Sequence, residues 1–158
     1  MKRAIEVQAP HPVTIDQDYI NIFLAGSIEM GKAKNWHDIV QKSIENAEVD
    51  VYNPRRDDWD DSWVQSVNNE NFKQQVIWEQ KGLLISDIVF FYFQEDTKSP
   101  ISLLEFGQII WSDKEIIICV EPKFWRRGNI EVLCDSFNIP LHDNLDDAIL
   151  ELKECILN

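Results

Sequence analysis

DIVFFYFQEDTKSPISLLEFG, residues Asp87 to Gly107, decides the fold. The run from Asp87 to Phe93 is apolar nearly throughout, the pattern of a strand covered on both faces. Behind a polar turn the sequence becomes helical. Pro100 suits a first helical turn, where a missing N–H costs nothing, and Ser99 stands at the N-cap position before it. One carboxylate, Glu105, falls between one and two turns into this helix. Its neighbours at spacings of three and four are Ile101, Ser102, Gln108 and Ile109, a mixed face. Such a glutamate is either an ordinary surface residue or an acid held in a dry pocket, and pattern alone leaves both open. Gly107 removes a side chain beside it, leaving room for another backbone or a ligand.

Outward from this stretch the same alternation continues. YINIFLAG (19–26) is a buried-strand run ending in glycine, and KNWHDIVQKSIENA (34–47) sets Trp36, Ile39, Val40 and Ile44 on one helical face. VDVYNP (49–54) is a strand closed by Asn53-Pro54, and NFKQQVIWEQKGLLI (71–85) is helical. EIIICVEP (115–122) and IPLH (139–142) read as strands, RGNIEVLCDSF (127–137) and LDDAILELKECIL (145–157) as helices. Alternating strands and helices imply an α/β fold with a parallel sheet. The expectation is a single-domain flavodoxin-like three-layer sandwich, with a five-stranded, mainly parallel sheet in the order 2-1-3-4-5. Residues 1–18, with Pro10 and Pro12, are expected as a loosely ordered arm, and residues 19–158 as the domain. Ligands of such sheets bind beyond the carboxyl ends of the strands, near the switch in strand order. That rule singles out Gly26-Ser27, the Asn53–Trp63 loop and Glu95–Ser99. Asp87, at the opposite edge, reads as structural.

A chain of 158 residues with 44% hydrophobic and 27% charged content can bury one core. Its formal charge of −13 argues against nucleic acid as a partner, because that binding leans on Lys and Arg. Three cysteines, Cys119, Cys134 and Cys155, make neither a metal-type pair nor a disulfide framework, which fits a reducing cytoplasm. No apolar run approaches the roughly 20 residues that span a membrane, and no signal-peptide core follows Met1-Lys-Arg. His11, His37 and His142 lack partners at metal-ligand spacing, and His37 reads as a surface residue. With no P-loop, dinucleotide fingerprint or Ser-His-Asp arrangement, no cofactor or metal is implied.

FLAGSIEMGK, WEQKGLLISDIVFFYF and SPISLLEFGQ, in that order, resemble the nucleoside 2-deoxyribosyltransferase family, including its nucleoside-monophosphate N-hydrolase relatives. The resemblance runs from about Tyr19 to Val120. It implies a flavodoxin-like fold and cleavage of the N-glycosidic bond of a 2'-deoxynucleoside, with deoxyribose passed to a second base. Glu105 matches the family's nucleophile. Glu79 takes the place of its second carboxylate, usually aspartate, and is assigned the supporting role. The chemistry calls for such a pair: a fixed anion below the ring stabilises the oxocarbenium-like sugar, and a second acid helps the base depart. Gly26, Ser27 and Ser99 are expected substrate contacts. The partners implied are a small-molecule nucleoside and a free base, in a homo-oligomer with sites near subunit interfaces. Trp111, Phe124 and Trp125 could serve those interfaces or the core.

The chain also departs from the family. A tyrosine that commonly contacts the nucleophile is replaced by Phe23. Ser99 is the residue of the monophosphate hydrolases, whereas Glu29, where those enzymes place an arginine, would repel a phosphate and is only partly offset by Lys32. An uncharged nucleoside is therefore the expected substrate. In the loop NPRRDDWDDSW (53–63), Asp58 and Trp59 are the chosen base contacts, by hydrogen bond and by stacking; the same loop could be an exposed acidic lid. Competing readings are a deoxynucleoside or deoxynucleotide N-hydrolase, a NAD-cleaving enzyme of the TIR type, and a non-catalytic nucleoside-binding module.

Overall fold

Strand-length apolar runs fill a single sheet in the computed structural model, which describes residues 4–14, 18–28 and 35–158. The strands are β1 (Ile5–Gln8), β2 (Ile20–Gly26), β3 (Val49–Asn53), β4 (Ile88–Phe93), β5 (Glu115–Val120) and β6 (Leu141–His142). They pair in the order β1-β3-β2-β4-β5-β6, every pair parallel. The helices are α1 (Trp36–Ser43), α2 (Glu70–Ile85), α3 (Pro100–Ile109), α4 (Arg127–Phe137) and α5 (Leu145–Leu157).

Side-chain alternation along the strands divides the core between two faces. Phe23, Ala25, Val89, Phe91, Ile118 and their neighbours pack under α2, α3 and α4, through Trp78, Leu83, Phe106 and Ile130. Ile22, Leu24, Phe90, Ile117 and Cys119 pack under α1 and α5, through Trp36, Val40, Ala148 and Leu152. This is the three-layer α/β sandwich expected, and the strands read from the sequence keep the order expected of them.

The strand count is six, not five. The extra strand, β1, comes from the segment expected as a loose arm. It adds to the outer edge of β3 in the register Ile5↔Asp50 to Gln8↔Asn53. The segment behind it is tied down as well: Ala9 is buried in the core, Trp78 donates its indole N–H to the His11 carbonyl (2.6 Å), and the Tyr52 hydroxyl donates to the Thr14 carbonyl (2.7 Å). Backbone pairing, with little apolar alternation to announce it, makes this strand hard to see in sequence.

At the amino edge, Asp87 accepts the Asn21 backbone N–H at 2.8 Å, joining the starts of β2 and β4 in the structural role expected. Phe124 belongs to the core, while Trp111 is exposed and Trp125 partly so. Among the described residues, no helix is long and apolar enough to cross a membrane.

Candidate active site

The carboxyl ends of β2 and β4 are shaped by one glycine. Gly26 has φ +142°, and a Cβ there would lie 2.1 Å from the Tyr92 carbonyl oxygen, so no other residue fits. The turn lets Ser27 donate its N–H to that same carbonyl at 2.9 Å. Its hydroxyl then stands over the sheet end, accepting the Gln94 N–H at 2.9 Å.

Around Ser27 three buried hydroxyls form a triangle. Ser27 Oγ lies 2.8 Å from both Thr97 Oγ1 and Ser99 Oγ, which are 2.9 Å from each other. Thr97 also donates to the Gln94 carbonyl at 2.9 Å. Its single proton is used there, so the two protons of Ser27 and Ser99 supply at most two of the triangle's three contacts, with Thr97 only accepting. Ser99 is left-handed (φ 47°), and its side chain makes no capping hydrogen bond to α3. Ser99 thus holds the N-cap position expected of it, but its hydroxyl serves a clasp between the β4–α3 turn and the end of β2.

From this clasp α3 runs across the sheet with Ser102, Glu105, Phe106 and Ile109 buried. Ser102 donates its hydroxyl to the Gly26 carbonyl at 2.8 Å, fixing the helix one turn before Glu105. Ile101 and Leu104 point outward, at 58% and 60% exposure, so the buried face is the one that carries the acid. A Cβ on Gly107 would meet nothing within 4 Å, so the space expected there is open rather than filled by this chain.

Glu79 comes from α2. Asn69 caps that helix by accepting the Phe72 N–H at 3.0 Å. Gln75, one turn before Glu79, donates its amide to Glu79 Oε1 and to the Pro54 carbonyl, each at 2.9 Å. Burial pushes the Glu79 carboxyl up to about 7, opposed by the Gln75 hydrogen bond. Burial raises Glu105 well above the usual carboxylate range, and the charge of Glu79 raises it further. Two buried acids therefore lie close enough at this edge for the charge of Glu79 to suppress the ionisation of Glu105.

A family model described as nucleoside 2-deoxyribosyltransferase-like matches residues 19–124, most of the chain and all of the site described so far. The chain belongs to this family. No curated protein matches it.

Within this nucleoside 2-deoxyribosyltransferase-like chain, the other residues singled out from sequence divide. Gly26, Ser27, Ser99, Glu79 and Glu105 gather at one sheet edge. Asp58 and Trp59 do not join them as expected. Asp58 is exposed and takes two hydrogen bonds from Arg56, each 2.8 Å, which hold its carboxyl below the usual range. Trp59 is at the surface with its ring edge-on to Trp63. Phe23 is fully buried, its ring against Gly82 and Trp78. His37 is also fully buried rather than at the surface, stacked on Trp36 with ring centroids 3.9 Å apart. Burial and the nearby Arg55 charge lower its pKa to about 3, so it is neutral. Glu29 and Lys32 lie outside the described residues.

Sequence reasoning missed Gln75, Thr97, Ser102 and the pair Arg55–Arg56. Gln75 lies at i−4 from Glu79 and Ser102 at i−3 from Glu105, spacings that put each beside its carboxylate. Arg56 is two residues before Asp58 in the loop already singled out, but its side chain is only 4% exposed, whereas that of Asp58 is 62% exposed.

Proposed function

We propose that the protein cleaves the N-glycosidic bond of 2'-deoxynucleosides and transfers the deoxyribose to an acceptor base, with Glu105 as nucleophile. The observation that carries this reading is the pair of buried, mutually repelling carboxylates, Glu105 and Glu79, at the sheet edge where α/β folds bind ligands. Burial and the Glu79 charge make Glu105 the stronger holder of the pair's last proton, so the attacking form arises when that proton passes to Glu79 and leaves Glu105 ionised. The Glu105 carboxylate bonds to C1', the C1'–N bond breaks, and its electron pair leaves with the base. Glu79 delivers its proton to the departing base. In the second half the acceptor base gives a proton to Glu79, its nitrogen attacks C1', and the Glu105 ester bond breaks. Burial serves both halves, since an anion stripped of water is worth more opposite a developing sugar cation.

Gly26, Ser27 and Ser99 frame the sugar end of the site in this reading. The Ser99 hydroxyl is engaged with Ser27 and Thr97, which supports an uncharged nucleoside over a nucleotide. The proposed setting is a cytoplasmic homo-oligomer.

Product analysis tests the proposal. Deoxynucleosides are supplied with and without a second base, and Glu105→Gln serves as control. A new nucleoside that requires Glu105 supports transfer. Free deoxyribose alone would move the assignment to an N-hydrolase, nicotinamide release from NAD to a NAD-cleaving enzyme, and stabilisation by nucleosides without turnover to a binding module.

A further inference from the structure

The loop after β3 is bound to the acid pair through one side chain. Gln75 donates to the Pro54 carbonyl and to Glu79 at the same time, so the Arg55–Arg56 segment begins beside the candidate site. Because Pro54 offers only an acceptor, the amide orientation of Gln75 is settled: its nitrogen faces the loop and Glu79. Its oxygen is then left over. Gln75 Oε1 is sealed from solvent with no partner among the described residues.

The same holds for Nη1 of Arg55 and Nη1 of Arg56. Arg56 is a charged side chain 4% exposed; its Nε and Nη2 are spent on Asp58, and its guanidinium lies over the Trp63 ring, 5.1 Å from the centroid. Buried donors and acceptors without partners are costly, about 1–3 kcal/mol each, and native proteins keep few of them. Here two charged donors come from the adjacent residues Arg55 and Arg56, and one acceptor comes from the α2 side chain that is bonded to Pro54, the residue before them.

That inventory has a chemical complement. A phosphate would answer the guanidiniums but brings no N–H for Gln75. A ring nitrogen has one lone pair, whereas a carbonyl oxygen has two and can take both guanidinium N–H groups. A carbonyl flanked by a ring N–H supplies two acceptor positions and one donor. We infer that Arg55, Arg56 and Gln75 form a base subsite that selects lactam bases, those with C=O beside ring N–H, as leaving group and acceptor. The inference rests on the proposed glycosidic reaction and adds a role to it. As the C1'–N bond breaks, the electron pair entering the base is delocalised onto the carbonyl oxygen, where two cations meet it. Arginine stays protonated throughout, so this is electrostatic stabilisation of the leaving base, distinct from the proton that Glu79 supplies.

Free bases test the subsite without chemistry. Calorimetry on the full chain compares pairs that differ only in the oxo group and its ring proton: hypoxanthine against purine, and 4-pyrimidinone against pyrimidine. At least one oxo member is expected to bind about tenfold tighter or more than its partner, the effect of one well-made hydrogen-bond set. Arg55→Lys and Arg56→Lys keep the charge but lose the planar fork. In at least one of them the preference should shrink to within about threefold, with an unchanged circular dichroism spectrum. No preference in the wild-type protein, no binding of any base, or a preference that survives in both variants overturns the inference. The wild-type comparison alone can do so, whether or not a variant folds. Glu105-dependent cleavage without the preference would leave the proposed reaction standing and remove the subsite. The preference without such cleavage would do the reverse.

Discussion

Ser102 hands its hydroxyl proton to the Gly26 carbonyl across 2.8 Å, and this bond fixes where Glu105 stands. Gly26 is the last residue of β2, Ser102 lies one helical turn before Glu105, and the Ser27–Thr97–Ser99 clasp holds the same helix at its start. An acid placed by a strand end and two sets of buried bonds has little freedom to rotate away from its target. Such preorganisation is what a nucleophile in a dry site needs.

Ser102→Ala tests this directly. Removing the hydroxyl leaves the Gly26 carbonyl short of one donor, at a cost of about 1–2 kcal/mol in stability. The expected functional signature is larger: kcat falls by about tenfold with KM little changed, because a misplaced nucleophile spoils the chemical step more than binding. Denaturant melts and steady-state kinetics on one deoxynucleoside check it. A loss confined to stability would make Ser102 a packing residue only.

Glu105→Gln should abolish turnover, lowering kcat by about a thousandfold or more, and should stabilise the fold at the same time. The folded pKa values of Glu105 and Glu79 are raised above the ordinary glutamate value of 4.5. Below that value both folded and unfolded states are protonated, and the stability contribution is fully present. It is lost as pH rises, through about 7 for Glu79, because the unfolded chain ionises first. Wild-type stability should therefore fall between pH 4.5 and the neutral range. Glutamine carries no charge to bury, so the variant should lose the part of that slope that Glu105 contributes, keep the part due to Glu79, and be more stable than the wild type at pH 8, measured by urea melts across pH.

Glu79→Gln should change the pH–rate profile more than its size. A pair sharing one proton is active in its singly protonated form, which gives a bell with both limbs belonging to the pair. Glutamine at 79 removes the charge that raises Glu105 and removes the proton the leaving base receives. The basic limb should disappear, the acidic limb should stay in place or move slightly up because it is set by proton loss beside a neutral neighbour in both proteins, and the loss in kcat should be smaller for a base that departs readily. A bell unchanged in the variant would assign the limbs to other groups.

Much of this was legible in the sequence where burial and repetition speak for themselves. The runs 19–26, 49–54, 87–93 and 115–122 are apolar enough to be strands between two helical layers, and right-handed crossovers then leave little choice of order. The edge strand Ile5–Gln8 was not legible, because it is held by backbone pairing to β3 and half its side chains are exposed. Glu105 and Glu79 stood out through family resemblance, but their burial did not, since a glutamate beside Ile101 and Gln108 could face either way. The loop 53–63 shows why side-chain type alone does not place a residue. Acidic and aromatic side chains look like ligands in a list, yet the solvated partner of its ion pair is Asp58 and the buried one is Arg56. His37 reversed in the same manner: only the fold shows that its helix starts against Ser27, where Trp36 donates its indole N–H to the Ser27 carbonyl at 2.8 Å.

Gly82 carries the last prediction. It sits on α2 three residues after Glu79, and a Cβ there would stand 2.6 Å from the Phe23 ring. An alanine must push the ring or the helix, and Phe23 is fully buried between β2 and Trp78, so the helix that bears Glu79 takes part of the shift. Overpacking of this kind costs about 1–3 kcal/mol. Gly82→Ala should therefore lower stability and activity together, whereas Gly107→Ala, whose Cβ meets nothing within 4 Å, should gain about 0.5–1 kcal/mol from helix propensity and leave kcat unchanged. Phe23→Leu makes room in the same place. Combined with Gly82→Ala it should recover most of the lost stability, giving a coupling energy of about 1 kcal/mol or more in a double-mutant cycle. Additive losses in that cycle would show that the ring and the helix do not bear on each other, and that Glu79 is held by Gln75 alone.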